Sequence, residues 1–180
     1  MKETSRTFFT IGHSTRPIAE FVLLLRSADV AQLADVRTLP RSRTNPQYNG
    51  AELARSLSQS RIGYEHLAAL GGRRPQQPAV SPAANAFWEN QSFHNYADYA
   101  MTEVFRSALT RLRESARERP CAVMCAEALW WRCHRRIIAD YLIHAGETVF
   151  HILGKDVEAA RMTSAARPGP DGTLIYPAEK

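Results

Sequence analysis

Apolar and polar positions along this chain switch between two periods, and the switching predicts an α/β order. Arg6-Thr7-Phe8-Phe9-Thr10-Ile11 is a short β-prone run that stops at Gly12. Pro17 then opens a segment in which Ile18, Phe21, Val22, Leu24 and Leu25 recur at helical spacing. Proline is tolerated in a first turn because its missing N–H would have no intrahelical partner there. Residues 30–36 read as a second strand, and strand, helix, strand in close succession is the βαβ unit of a parallel sheet.

Residues 37–50, rich in Pro, Asn, Ser and Arg, predict a loop; 51–60 predict a short helix and 62–66 a short strand. Residues 71–95 contain Pro75, Pro78 and Pro82 with little periodicity, and a loop of that length in a compact fold suits a lid or binding loop. The longest helical pattern covers 95–119, with Tyr99, Val104, Phe105, Ala108, Leu109 and Leu112 on one side. Cys121-Ala122-Val123-Met124-Cys125 is a compact apolar run, expected as a central strand buried on both faces. Residues 129–146 predict a helix ending at Gly146, 148–153 a last strand, and 162–180 a C-terminal tail. There is no internal repeat or coiled-coil heptad. The expected architecture is one Rossmann-like α/β domain over 1–180, with a mainly parallel central sheet flanked by helices.

Apolar runs such as Phe21 to Leu25 are far too short to span a membrane. The first residues lack the apolar stretch of a signal peptide, so a cytoplasmic protein is expected. The net charge is +5, and the 23 basic residues comprise 20 arginines and three lysines. Arginine presents a rigid fork suited to phosphates and carboxylates, so the bias points to anion recognition. The basic residues are dispersed rather than gathered in a stripe, which argues against a nucleic-acid footprint. The three cysteines, Cys121, Cys125 and Cys133, are an odd count and do not suit a disulfide framework.

In open parallel sheets, ligands bind outside the carboxyl ends of the strands. Three expected strands end in polar clusters: Gly12-His13-Ser14-Thr15-Arg16, Asp35-Val36-Arg37 with Arg41 and Arg43 beyond, and Cys125-Ala126-Glu127 followed by Cys133-His134-Arg135-Arg136. Right-handed crossovers would put all three on one edge. Each group also has a plainer role. Ser14 and Thr15 suit helix capping, Asp35 and Arg37 an ordinary ion pair, and Cys125 a small hydrophobe at a strand end. A thiol at a strand–helix junction faces free amides, and Arg135 or Arg136 would lower its pKa further. Cys125, Cys133 and His134 could also ligate a metal, but C-x7-C-H is not a structural-zinc spacing, and on a helix Cys133 and His134 would diverge by about 100°. There is no G-x-G-x-x-G, Walker loop or C-x5-R phosphate cradle. Phe87, Trp88, Phe93, Tyr96 and Tyr99 suit either a stacking lid or a satellite core.

Together, Thr10-Ile11-Gly12-His13-Ser14, Leu33-Ala34-Asp35-Val36-Arg37, Pro40-Arg41-Ser42-Arg43, Leu70-Gly71-Gly72, Met124-Cys125-Ala126-Glu127, Cys133-His134-Arg135 and Gly172-Thr173-Leu174-Ile175-Tyr176-Pro177 resemble the family called domain of unknown function 488. The resemblance implies a small Rossmann-like domain and supplies no reaction. The function expected first is an enzyme acting on a small anionic or nucleotide-like ligand. In it, Cys125 is the nucleophile or redox thiol, His13 or Glu127 moves protons, and Ser14, Asp35, Arg37, Arg43, His134 and Arg135 bind the anion. A non-catalytic nucleotide or nucleic-acid binding module comes second. A metal protein using Cys125, Cys133 and His134 comes third. No cofactor is indicated by a motif, and no membrane association is expected.

Overall fold

The computed structural model describes residues 4–180. Its strands are β1 (Thr7–Gly12), β2 (Gln32–Asp35), β3 (Gly63–His66), β4 (Cys121–Cys125), β5 (Thr148–Leu153) and β6 (Asp156–Ala159). They form one sheet in the order β3-β2-β4-β1-β5-β6, parallel except for β6, which pairs antiparallel with β5. The helices are α1 (Ile18–Ser27), α2 (Gly50–Ser58), α3 (Gln91–Tyr99), α4 (Glu103–Ser115) and α5 (Arg135–His144). The mixed α/β architecture expected from the sequence is therefore present. Among the described residues no helix is long and apolar enough to cross a membrane.

The two faces of the sheet are sorted by strand alternation. In β4, Cys121 and Val123 join Phe8, Ala34 and Val149 beneath α3, α4 and α5. Ala122 and Met124 turn the other way, joining Ile11 and Leu33 against Phe21 and Leu25 of α1 and Leu53 and Leu57 of α2. Both faces of β4 are fully covered, which is why its sequence reads as an unbroken apolar run.

Four boundaries differ from the sequence expectation. The helical pattern over 95–119 is two helices, because Thr102 adopts an extended conformation and its Oγ1 caps α4 by accepting from Phe105 N–H. The expected loop 71–95 ends early, where Asn90 Oδ1 accepts from the N–H groups of Ser92 and Phe93 and starts α3. The helix expected over 129–146 is a single 3₁₀ turn, Trp130–Arg132, followed by extended Cys133 and then α5. β6 was not foreseen at all; every one of its residues is exposed, so it carries no apolar face to read.

The tail is a packed strap. Strands β7 (Arg167–Pro168) and β8 (Leu174–Ile175) pair with each other, and Leu174 and Tyr176 are fully buried. Tyr176 N–H donates to Ala84 O at 2.9 Å, its carbonyl accepts from Phe87 N–H at 2.9 Å, and its hydroxyl donates to Asp140 Oδ2 at 3.0 Å. Trp88 packs edge-on against the Tyr176 ring at 5.1 Å and stacks on Phe93 at 5.0 Å. Trp88 thus belongs to the core and not to a free stacking surface. Tyr176→Ala should cost about 3–5 kcal/mol of unfolding free energy in urea titration. A loss below about 1 kcal/mol would show that the strap does not hold the 84–88 segment.

His151 in β5 is 2% exposed, stacked on Trp130 at 4.2 Å, and its Nδ1 shares a 2.7 Å hydrogen bond with Thr10 Oγ1. Burial, reinforced by the charge of Arg135, lowers its pKa from 6.5 to about 4. The neutral ring is thus favoured in the fold and the proton in the unfolded chain. Its contribution is complete above pH 6.5 and is lost as pH falls toward 4, by up to about 3 kcal/mol. Burial raises the Asp140 carboxyl, whose slope has the opposite sign, so the informative quantity is a difference. Between pH 6.5 and 4, urea unfolding of the parent should weaken with acid more steeply than that of His151→Asn. Equal slopes would remove His151 from the acid response.

Candidate functional site

The carboxyl ends of β1, β2 and β4 are fastened to one another by backbone hydrogen bonds. His13 N–H donates to Cys125 O at 2.9 Å, Ser14 N–H to Ala126 O at 3.0 Å, and Val36 N–H to Met124 O at 2.9 Å. The approach is so close that a Cβ on Gly12 would lie 1.9 Å from Glu127 O. Only glycine can stand there. Beside this junction opens a cleft of about 480 Å³, lined by Arg37, Thr38, Leu39, Arg41, Gly72, Arg73, Ser92, Phe93, Cys125, Ala126, Glu127, Arg132, Cys133 and His134. That volume is of small-molecule size.

Arg37 is buried, and its guanidinium is held from two sides. Nε and Nη2 donate to Asp35 Oδ1 and Oδ2 at 2.9 and 2.6 Å, and Nη2 also donates to Tyr48 O at 2.7 Å. Tyr64 donates to Asp35 Oδ2 at 2.7 Å, so the fully buried Asp35 has its charge matched and its oxygens occupied. Burial opposes the Arg37 charge, but the hydrogen bonds and charge of Asp35 outweigh it and the pKa is raised. Of the two roles the sequence left open, ordinary ion pair or anion binding, the pair is a buried ion pair whose arginine also lines the cleft.

His13 lies under this cation and does not line the cleft. It stacks on Tyr48 at 4.1 Å, its Nδ1–H donates to Ser14 O at 2.8 Å, and its Nε2 faces Arg37 Nη1 at 3.4 Å. Burial lowers its pKa to about 4, so the ring is neutral and receives the arginine N–H. Ser14 acts through its backbone at φ 50°, and neither it nor Thr15 caps α1, whose first turn follows Pro17 without a side-chain cap.

On the opposite wall stand the two thiols and an imidazole. Cys125 ends β4, while Cys133 and His134 occupy the link between the 3₁₀ turn and α5. Cys125 Sγ, Cys133 Sγ and a His134 ring nitrogen all lie within 4.8 Å of one another. All three cysteines are reduced. His134 Nε2–H donates to Val36 O at 2.9 Å, leaving Nδ1 toward Cys133 Sγ at 3.6 Å. Arg135, 1% exposed, donates from Nε to Cys133 Sγ at 3.2 Å and from Nη2 to Glu127 O.

The lowered pKa expected at Cys125 falls on Cys133 instead. Cys125, expected to be acidified by Arg135 or Arg136, is pushed up: it donates a hydrogen bond to Cys133, it is buried, and it faces the charge of Cys133. Burial alone would also raise Cys133, but the hydrogen bond from Cys125 and the charge of Arg135 help bring it well below the usual thiol range. Cys121 is fully buried, and burial pushes its thiol up to about 12, as suits a packing residue.

Of the remaining expected residues, Glu127 is exposed on the cleft rim with Oε1 accepting from Leu129 N–H at 3.0 Å. Arg43 is exposed and lies outside the lining, where Arg41 stands instead. Asp35 and Arg135 act from behind the walls. Two lining arginines were not singled out from sequence. Arg73 is brought in by its N–H donating to Thr38 Oγ1 at 3.1 Å, and Arg132 by the 3₁₀ turn. Their only sequence signal was adjacency to Gly71-Gly72 and to Cys133. The 71–95 segment therefore meets the cleft at its two ends, through Gly72, Arg73, Ser92 and Phe93.

No curated protein and no solved structure matches the chain. One family model, described as Domain of unknown function DUF488, matches residues 17–142. The matched span runs from just before α1 to within α5, and so contains Arg37, Cys125, Cys133, His134 and Arg135. With most of its length covered, the chain belongs to the family named for its domain of unknown function, DUF488.

Proposed function

We propose that this cleft is the active site of an enzyme for a small anionic or nucleotide-like substrate, with the Cys125–Cys133 pair and His134 supplying the chemistry. The observation that carries this reading is the meeting of two thiols and an imidazole nitrogen with four cleft-lining arginines, Arg37, Arg41, Arg73 and Arg132, against one carboxylate, Glu127. Arg37 is the fixed anchor, since its orientation is set by Asp35 and needs little ordering when an anion arrives. The three exposed arginines give a positive mouth that draws anions in. Phe93 offers an apolar wall for a ring. His13 orients Arg37 from beneath, and Glu127 exchanges protons at the rim. A cavity of about 480 Å³ suits a small molecule better than a nucleic-acid strand, which favours this reading over the binding-module alternative.

The test needs no known substrate. In chelator-treated, reduced protein, alkylation mapped to Cys125 or Cys133 should favour anionic iodoacetate over neutral iodoacetamide, relative to a free cysteine peptide. The expected preference is about tenfold at low ionic strength, falling with salt. Arg41→Gln with Arg73→Gln and Arg132→Gln should abolish it. A ratio equal to that of the free peptide would overturn the anion-selective site.

A further inference from the structure

The three donor groups on the cleft wall form a pattern narrower than a pair of reactive thiols. In a tetrahedral zinc site, sulfur at about 2.3 Å and nitrogen at about 2.0–2.1 Å from the ion put neighbouring donors roughly 3.5–3.8 Å apart. Cys133 Sγ and His134 Nδ1 stand at 3.6 Å, and the full trio lies within 4.8 Å. Side-chain adjustment of about an ångström closes the set. The expectation that adjacent Cys133 and His134 would diverge assumed a helix through both. Cys133 is extended instead, with φ −127° and ψ 147°, and α5 begins only at Arg135.

The groups behind the donors suit a metal as well. His134 gives its Nε2–H to the Val36 carbonyl, the arrangement that fixes a ligating imidazole in one tautomer and leaves the other nitrogen's lone pair for the ion. Tyr96 packs edge-on against the same ring at 4.9 Å and holds its plane. Arg135 Nε donates to Cys133 Sγ, supporting a thiolate. Space beside the free nitrogen is kept by a glycine: a Cβ on Gly72 would fall 2.5 Å from His134 Nδ1.

We propose that Cys125, Cys133 and His134 bind a zinc-class divalent cation with a fourth coordination position open to the arginine-lined cleft. Two sulfurs and one imidazole select a borderline-soft ion over magnesium or calcium. Among the described residues no fourth His, Cys, Asp or Glu joins the group, and three protein ligands with one open position mark a catalytic rather than a structural site. As each sulfur–metal bond forms, the thiol proton leaves to solvent, and two thiolates balance the charge of the ion. The inference rests on the cleft being an anion site and deepens it, because the anion drawn in by the arginines is then the fourth ligand.

Full-length protein, reduced with a phosphine and stripped with a chelator, is titrated with Co²⁺ and, in competition with a chromophoric chelator, with Zn²⁺. One equivalent of Co²⁺ should give a thiolate-to-metal charge-transfer band and the intense visible bands of tetrahedral coordination, and inorganic phosphate should shift those visible bands. Cys133→Ser and His134→Ala should each weaken Zn²⁺ binding at least about 100-fold, beyond what loss of an outer-shell partner does. Gly72→Ala, which keeps all three donors, should also weaken it, with far-UV circular dichroism confirming that each variant is folded. Absence of saturable binding, or binding that survives both donor substitutions, overturns the metal site. If metal fails to bind while the iodoacetate preference persists, the anion cleft stands and its thiols work without an ion. If Co²⁺ binds with thiolate bands that phosphate leaves unchanged, the ion is present but its open position does not serve anions, and the proposal as stated falls.

Discussion

The position of β4 is the constraint on which the site depends. β4 lies between β1 and β2 and pairs in parallel with both, in register Gly12↔Cys125 on one side and Asp35↔Met124 on the other. Three loops that are remote in sequence must therefore leave the sheet at the same height. The Gly12 backbone then comes so near Glu127 O that no side chain fits, and hydrogen bonds continue past the strand ends through His13 and Ser14. A slip of one residue in β4 would exchange its two buried faces, moving Cys121 and Val123 into the layer of α1 and α2. Packing on both faces thus fixes the place of Cys125, although Cys125 contributes little to packing itself.

Burying charge beside that junction is costly unless every charge is matched, and the fold matches each with a nearby partner. Asp35 balances Arg37, while the Tyr48 carbonyl and Tyr64 hydroxyl fill the remaining hydrogen-bonding positions. Arg135 is balanced differently. Among the described residues its side-chain partners are a backbone carbonyl, Glu127 O, and the sulfur of Cys133 rather than a carboxylate. A buried guanidinium that donates to the Cys133 sulfur favours the ionised form of that thiol and so ties its acidity to the local charge balance. The same link carries Cys133, His134 and Arg135 in three consecutive positions, so the breaking of the helix before Arg135 sets all three at once.

What the sequence made legible follows from burial. β4 was readable because both faces are covered, and β1 and α1 because their apolar residues face one layer each. β6 was invisible because Asp156, Val157, Glu158 and Ala159 are all exposed and are held by backbone pairing to β5 and by Trp130 Nε1–H donating to Glu158 Oε1, not by an apolar face. The break between α3 and α4 was hidden by an apolar stripe that runs through Ala97 and Ala100 into Phe105, although Thr102 before acidic Glu103 carried the cap signal. At the site, convergence of the three strand ends was foreseen, because topology requires it. Which side chains face the cleft was not. Arg41 and Arg43 stand two residues apart in an irregular loop yet only Arg41 lines the cleft, and Arg73 depends on a hydrogen bond to Thr38, 35 residues away.

The histidines show how the same side chain is divided between framework and chemistry at one sheet edge. His151 is sealed between Trp130 and Thr10, and His13 between Tyr48, Ser14 and Arg37; burial keeps both neutral. Neither lines the cleft. His134 is only half-buried, and Val36 O occupies one of its nitrogens while the other faces the sulfurs. Reading along the chain made His13 a candidate for proton transfer beside Glu127, because it follows a strand and is a poor helix cap. The Asp35–Arg37 pair changes that weighting: it fills the space between His13 and the cleft, and the ring's remaining nitrogen is used to steady the guanidinium. The imidazole left with a free lone pair in the open is the one beside two thiols. In the proposed function, the chemistry falls to this imidazole with its free lone pair, beside the strand-end thiol of Cys125.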